Sequence, residues 1–171
     1  MVRLLFALAL LGAAVVRADT PAAPSAPALP PLEKEVGVII SGPQVTIVHF
    51  WAPWCPNCRA EMTPEGWAKF VGTNPDVQVV FINFWHRGQT AGPALSRAGL
   101  GGQPNFVTLE HPNPASKGDE RTKTFLGLPV TWLPTTWVFR DGKLRYALNY
   151  GEVRFDMLQQ LVNDSKDKWA H

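Results

Sequence analysis

The chain has 171 residues, with 16 Lys or Arg, 14 Asp or Glu, and a formal net charge of +2. Arg3 and Arg17 lie in the first 18 residues, so the rest of the chain carries equal numbers of basic and acidic side chains. This balance leaves no basic patch of the kind that binds nucleic acid, and the length suits one domain with its own hydrophobic core. We therefore expect no nucleic-acid partner.

The N-terminal segment has the pattern of a secretory signal peptide. A short basic start precedes an apolar run over residues 4–16, and Val16 and Ala18 place small side chains at the −3 and −1 positions of a cleavage site. The pattern predicts a signal peptide over residues 1–18. Because the apolar run is shorter than the roughly twenty residues of a membrane span, an uncleaved anchor is the alternative. Both interpretations place the domain in the periplasm.

A segment rich in Pro and Ala follows at residues 19–34. This composition cannot form a core and predicts an extended, solvated linker. The folded domain is expected to cover residues 35–171. Its first element, near residues 33–40, is predicted as either a short helix or an edge strand.

The only two cysteines of the chain, Cys55 and Cys58, follow a predicted buried strand at residues 45–51. They lie where a helix is expected to begin, with Pro56 at its first position, where a missing N–H costs nothing. Free backbone N–H groups and the helix dipole favour an anion there, so we expect a lowered pKa of the Cys55 thiol. Cys58, one turn further, is then the resolving thiol.

Three chemistries are open to such a cysteine pair: reversible exchange, a static disulfide, or binding of a soft metal ion. A disulfide over so short a loop restrains the unfolded chain little. A metal site needs further ligands, and no histidine stands at a suitable spacing. The histidines are His49, His86, His111 and His171. We predict reversible dithiol exchange without metal or cofactor, and copper binding by the reduced pair is the alternative.

Downstream of the cysteines, hydrophobic periodicity and turn residues predict alternating helices and strands. The helix that begins near Cys55 is expected to reach about Val71, with a kink at Pro64. The other predicted elements are a buried strand at 77–84, a helix at 89–98, a strand or extended segment at 105–109, a helix at 117–126, a strand at 135–139, a hairpin turn at 141–142, a strand at 143–149 and a C-terminal helix after residue 151.

Two segments resemble landmarks of the thioredoxin superfamily. Residues 50–61, with the run Trp-Cys-Pro-Asn-Cys-Arg-Ala-Glu, are similar to the active-site segment of the periplasmic thiol–disulfide oxidoreductases of the TlpA, ResA and DsbE type. Residues 132–139 resemble the family's cis-proline strand. The resemblance covers about residues 45–165. It implies an α/β thioredoxin fold, with a central mixed β-sheet flanked by helices and an insertion before the cis-proline strand.

The resemblance also implies which residues contact a substrate. A cis peptide bond between Leu133 and Pro134 would face the dithiol and expose the Leu133 backbone to a substrate chain, as in strand addition. Pro129 is a competing position, although no comparable strand follows it. Trp54 and Trp132 would add an apolar collar for protein substrates.

Two further residues are candidates for tuning the dithiol. Glu61 stands three residues after Cys58, where similar periplasmic enzymes have an acidic residue that tunes the dithiol; the alternative is a solvated helical glutamate. His49 stands where thioredoxin has a buried acid that accepts a proton from the resolving thiol. A neutral imidazole can accept a proton near neutral pH, and the alternative is a core histidine.

These features predict an exported thiol–disulfide oxidoreductase that reduces extracytoplasmic protein disulfides. The resemblance implies a membrane thiol reductase of the DsbD or ScsB kind as electron donor, and we expect a monomer. Three alternatives stay open: a copper-handling protein, a disulfide oxidant or isomerase, and a non-catalytic binding module of the same fold. Residues 85–128 match no family pattern, so the sequence does not identify the substrate.

Overall fold

A computed structural model describes residues 28–149 and 151–166 of the chain. The predicted signal peptide and residues 19–27 of the predicted linker lie outside the described residues. The first helix, α1, covers Pro31–Ile40, so the linker prediction is wrong at its C-terminal end. The reason is that Pro31 stands at the start of the helix, where its fixed φ angle is already helical.

Five strands form one mixed sheet, and two short strands form a separate hairpin. The order in the sheet is β3-β2-β1-β6-β7; β1 pairs in parallel with β2 and antiparallel with β6. The strands are β1 (Thr46–Trp51), β2 (Gln78–Asn83), β3 (Phe106–Glu110), β4 (Thr124–Phe125), β5 (Leu128–Pro129), β6 (Thr135–Arg140) and β7 (Lys143–Leu148). All six residues of the central strand β1 are buried, which explains its unbroken β-branched and aromatic sequence.

The helical segments flank this sheet. They are α2 (Pro56–Glu61), a kinked turn (Pro64–Ala68), α3 (Lys69–Thr73), α4 (Gly92–Arg97) and α5 (Phe155–Lys166). The prediction of one kinked helix as far as residue 71 is wrong, because Met62 and Thr63 leave the helical conformation. Proline disfavours helical geometry in the residue before it and suits the first position of a new segment. The Thr63 hydroxyl accepts the Gly66 N–H at 3.0 Å and caps that segment.

The predicted helix at residues 117–126 is also wrong, because this stretch forms turns and the β4-β5 hairpin. Gly118, Leu126 and Gly127 have positive φ angles of 69°, 50° and 71°, a conformation that a right-handed helix excludes. In addition, the Asn113 amide donates to the Glu120 carbonyl at 2.6 Å. Local hydrogen bonds therefore hold this part of the insertion in an irregular path.

The other predicted elements are confirmed within a few residues at their ends. Asp141 and Gly142 both have positive φ, as a tight hairpin turn between β6 and β7 requires. Helix α1 packs onto the domain through the buried Val36, and the Glu33 carboxylate accepts the Leu126 N–H at 2.7 Å. Between residues 28 and 166, leaving aside residue 150, no helix combines the length and apolar character that a membrane crossing needs.

Candidate active site

The two cysteines lie at the turn that joins β1 to α2, where Cys55 is the N-terminal cap of the helix. They are joined in a disulfide with their Cα atoms 5.3 Å apart. The Cys58 N–H points at Cys55 Sγ at 3.3 Å, so a backbone donor of the first turn is aimed at this sulfur. Cys55 keeps 4% of its surface exposed, whereas Cys58 is fully buried. Of the pair, Cys55 is therefore the one that an external disulfide can reach.

The segment before β6 faces this pair. The peptide bond between Leu133 and Pro134 is cis, and the Leu133 carbonyl oxygen lies 3.7 Å from Cys55 Sγ. Antiparallel pairing of β6 with β1 positions this segment, because Thr135 stands opposite Phe50. Pro129, the competing candidate, lies in the separate hairpin as part of β5. The backbone beside the sulfur is therefore that of Leu133.

His49 and Glu61, predicted separately, form one buried pair. His49 Nε2 lies 2.9 Å from Glu61 Oε1, and both side chains are at most 1% exposed. On its other side, His49 Nδ1 lies 2.9 Å from the Thr136 hydroxyl. Glu61 Oε2 accepts the Val153 N–H at 2.7 Å. The alternative of a solvated helical Glu61 is therefore wrong.

The surroundings of this pair are largely apolar. The His49 ring centroid lies 4.6 Å from that of Trp67 and 4.6 Å from that of Phe81. Neither His49 Nε2 nor Glu61 Oε1 forms a hydrogen bond with any other described group. Since buried polar groups are costly without partners, each of these two atoms depends on the other.

Trp54 is fixed in place by the insertion, residues 85–128, which follows β2. Its indole N–H donates to the Trp85 carbonyl at 2.7 Å, and the Arg87 guanidinium lies 3.7 Å from its ring centroid. The Trp85 indole N–H in turn donates to the Thr122 carbonyl at 2.7 Å. The Arg121 guanidinium lies over Trp85, 4.4 Å from its ring centroid. This chain of contacts links the residue next to Cys55 to a segment more than thirty positions away.

A groove of about 590 Å³ opens beside Cys55. Its walls come from the cysteine turn, from the segment before β6 and from the insertion. They include Trp54, Asn57, Trp85, Ser116, Arg121 and Trp132. Trp132 is 46% exposed, so the predicted apolar collar borders an accessible surface.

Sequence reasoning missed the contribution of the insertion to this groove. Trp85 is only 3% exposed, as a core aromatic would be, yet it also lines the groove. Trp85 and Arg87 both have positive φ, at 54° and 56°. These turns direct the chain back over Trp54, and no local motif in the sequence predicts them because such angles are uncommon outside glycine.

His111, in the insertion, is a second buried histidine. His111 is 8% exposed and packs on Phe84 with ring centroids 4.6 Å apart. Burial lowers the pKa of His111 below its ordinary value of 6.5; a backbone hydrogen bond at Asn113 and the charge of Glu33 oppose this, and the charge of His86 adds to it. Within residues 28–149 and 151–166, no group of three or more His, Cys, Asp and Glu side chains converges on a metal-sized site.

Comparison with known proteins agrees with this geometry. A family model described as a thioredoxin-like domain matches residues 33–166. The chain belongs to this family. Together with the cysteine pair and the likeness to solved oxidoreductases, this makes it a thioredoxin-like thiol–disulfide oxidoreductase. No curated protein matches the chain.

Three solved structures illustrate the likeness. A secreted disulfide oxidoreductase of Mycobacterium tuberculosis, homologous to E. coli DsbE, is 26% identical over 71% of this chain and 81% of its own, with a TM-score of 0.50. StoA from Bacillus subtilis is 20% identical over 70% and 82%, with a TM-score of 0.50. A DsbF homologue from Corynebacterium diphtheriae is 19% identical over 74% and 75%, with a TM-score of 0.55. The last two show the fold alone.

Proposed function

We propose that this oxidoreductase is exported and reduces disulfides in extracytoplasmic proteins. The observation that carries the proposal is the position of Cys55, which is accessible at one end of an open groove while its partner Cys58 is buried behind it. Export is supported by the predicted signal peptide at residues 1–18 and by the secreted location of the similar M. tuberculosis enzyme. The uncleaved anchor places the domain in the same compartment.

The reaction needs only the two thiols. Cys55 thiolate attacks one sulfur of the substrate disulfide; the substrate S–S bond breaks, a Cys55–substrate bond forms, and the other substrate sulfur leaves as a thiolate that takes a proton from water. Cys58 thiolate then attacks Cys55 Sγ and releases the second substrate thiolate. Two electrons thus pass from the dithiol to the substrate, and the product is the Cys55–Cys58 disulfide that the structure contains.

The groove next to Cys55 suits a peptide substrate. In this proposal the Leu133 backbone pairs with an extended substrate segment, Pro134 fixes the course of that backbone, and Trp132 and Trp54 contact apolar side chains. The 3.7 Å separation of the Leu133 carbonyl from Cys55 Sγ supports this assignment, because a chain paired there passes close to the attacking sulfur.

A membrane thiol reductase of the DsbD or ScsB kind would return the dithiol to its reduced form. We propose that the protein works as a monomer, because exchange requires one dithiol and one groove, both present in a single chain. Sedimentation of the reduced protein would check this. A dimer that occludes the groove would contradict it.

The midpoint potential of the Cys55–Cys58 couple tests the direction of electron flow. We expect a value near that of thioredoxin, about −270 mV, when the protein is equilibrated with reduced and oxidised dithiothreitol. A value near that of DsbA, about −120 mV, would instead identify an oxidant. The Cys58→Ser variant provides the second readout, because it should accumulate mixed disulfides through Cys55 with substrate proteins. A matched Cys55→Ser, Cys58→Ser variant should trap none.

A further inference from the structure

We propose that the groove beside Cys55 favours substrate segments that carry an acidic side chain close to the reacting cysteine, and that Arg121 binds this carboxylate. The inference rests on the proposed function, since the groove selects a substrate only if Cys55 exchanges with a peptide disulfide. The proposed preference comes from the insertion, whose side chains line part of the groove.

The groove beside Cys55 carries a positive charge. Arg121 is the only charged side chain that lines the groove, and it makes no ion pair with a carboxylate among residues 28–149 and 151–166. An adjoining groove, which shares Ser116, contains Arg87, Lys117 and Glu120. The surface that leads away from Cys55 is therefore net positive, and an acidic side chain complements it.

A contact with Trp85 holds the Arg121 side chain in place. The guanidinium carbon of Arg121 lies over Trp85 at 4.4 Å from the ring centroid, and the Trp85 indole is fixed by its hydrogen bond to the Thr122 carbonyl. A cation–π contact uses none of the hydrogen-bonding capacity of a guanidinium, so N–H groups of Arg121 can still bind two carboxylate oxygens. A cation fixed in this way loses little side-chain freedom when it binds an anion.

The groove also has room for an extended peptide segment. The groove measures about 590 Å³, and Trp132 and Trp85 are both among the residues that line it. In an extended chain, alternate side chains point to the same face. A cysteine that reaches Cys55 therefore shares its face with the residue two positions away. We place the acidic side chain at that position.

The test uses full-length reduced protein and peptides whose single cysteine forms a disulfide with 2-thiopyridine, an uncharged leaving thiol whose release is followed by its absorbance. Three peptides differ only in the residue two positions from the cysteine, which is Glu, Gln or Lys. We expect the Glu peptide to react about two- to fivefold faster than the Gln peptide, in keeping with one partly screened ion pair, and the Lys peptide to react more slowly. High salt should reduce the difference.

Variants assign the effect to Arg121. Arg121→Gln should bring the Glu-to-Gln rate ratio close to one, whereas Arg121→Lys, which keeps the charge, should preserve most of it. Arg145→Gln is the matched control, because it removes the same charge from strand β7, outside the groove. Its ratio should equal that of the parent protein. A thermal melt of each variant checks that it is folded.

Three results would overturn the inference. The first is a Glu-to-Gln ratio near one in the parent protein, and the second is an unchanged ratio in Arg121→Gln. The third is an Arg121-dependent advantage for oxidised glutathione with none for the acidic peptide, because that would assign the groove to small carboxylate-bearing disulfides. Failure of all three peptides to react would instead contradict the proposed function itself.

Discussion

At the scale of single residues, the His49–Glu61 pair connects the sheet to the helix that carries Cys58. His49 belongs to β1 and Glu61 ends α2, three residues after Cys58 and so on a neighbouring part of the helix surface. The 2.9 Å contact between them lies in an environment that excludes water. A charge held there acts on a nearby thiol with little screening. We therefore propose that the pair holds a charge near the dithiol and that this charge influences thiolate formation there.

The Glu61→Gln variant tests this role. Glutamine keeps an oxygen that can accept the Val153 N–H, but it removes a negative charge that opposes formation of a nearby thiolate. We expect the pH midpoint for alkylation of the reduced protein by iodoacetamide to fall by about half a unit to one unit. Glu65→Gln, an exposed change in the next segment, should leave the midpoint where it is. Equal midpoints in both variants would remove Glu61 from the mechanism.

The sequence identified both members of this pair but not their contact. Cys58 and Glu61 are neighbours in one helix, so their relation follows from local spacing. His49 and Glu61 meet because β1 and α2 fold against each other, and the identity of that contact depends on tertiary packing. The same holds for Arg121, whose place in the groove depends on backbone turns at Trp85 and Arg87 that residue type does not predict.

At the scale of elements, the break after α2 determines how the end of that helix packs against the next segment. Gly66 has dihedrals of φ −87° and ψ −113°, outside the helical region. A Cβ atom there would collide with the Glu61 carbonyl and would also lie 3.2 Å from the Phe155 ring. The absence of a side chain at residue 66 therefore lets the end of α2 approach the next segment and helix α5.

Substitution of this glycine by alanine should therefore be costly. We expect Gly66→Ala to lower the free energy of unfolding by about 1–3 kcal/mol, as overpacking does, in a urea titration. Gly72→Ala in α3 is the matched control, because nothing lies within 4 Å of its added Cβ. That change should stabilise the protein by about 0.4–1 kcal/mol through the unfolded state. Similar effects at both positions would contradict the packing account.

Sequence patterns were sufficient to predict some of the strands and helices but not others. Strand β1 is predicted correctly because a central strand covered on both faces needs a continuous apolar run. The prediction of a helix over 117–126 fails because its backbone follows hydrogen bonds to Asn113 and left-handed turns at Gly118 and Gly127. Hydrophobic periodicity indicates which face of a helix or strand is buried. It does not indicate hydrogen-bond partners that lie elsewhere in the chain.

At the scale of the whole molecule, the insertion is tied to the rest of the domain at several places. Glu33 of α1 accepts the Leu126 N–H, Asn83 of β2 donates to Glu110 of β3 at 2.7 Å, and Trp54 donates to the Trp85 carbonyl. These contacts let the insertion, in which residues 111–123 form no helix or strand, supply a wall of the groove. They also couple the stability of the domain to groups buried inside the insertion.

His111 is the titratable group through which this coupling should be measured. Burial lowers its pKa in the folded protein. Above its ordinary pKa of 6.5, the imidazole is neutral in both states and makes no pH-dependent contribution. As the pH falls through 6.5, the unfolded chain binds a proton that the folded chain does not yet bind, so the free energy of unfolding decreases. The decrease ends below the folded-state pKa, where both states are protonated.

His111→Asn should remove this part of the pH dependence. His111 Nδ1 lies 3.1 Å from both the backbone nitrogen and the carbonyl oxygen of Asn113, and an asparagine amide can donate or accept a hydrogen bond without titrating in this range. We expect the urea midpoint of the parent protein to fall between pH 7.5 and pH 5.5 by more than that of the variant. The difference isolates His111, because the other histidines are common to both proteins. Equal losses would mean that acid sensitivity arises from groups other than His111, and a larger loss in the variant would reverse the sign that burial predicts.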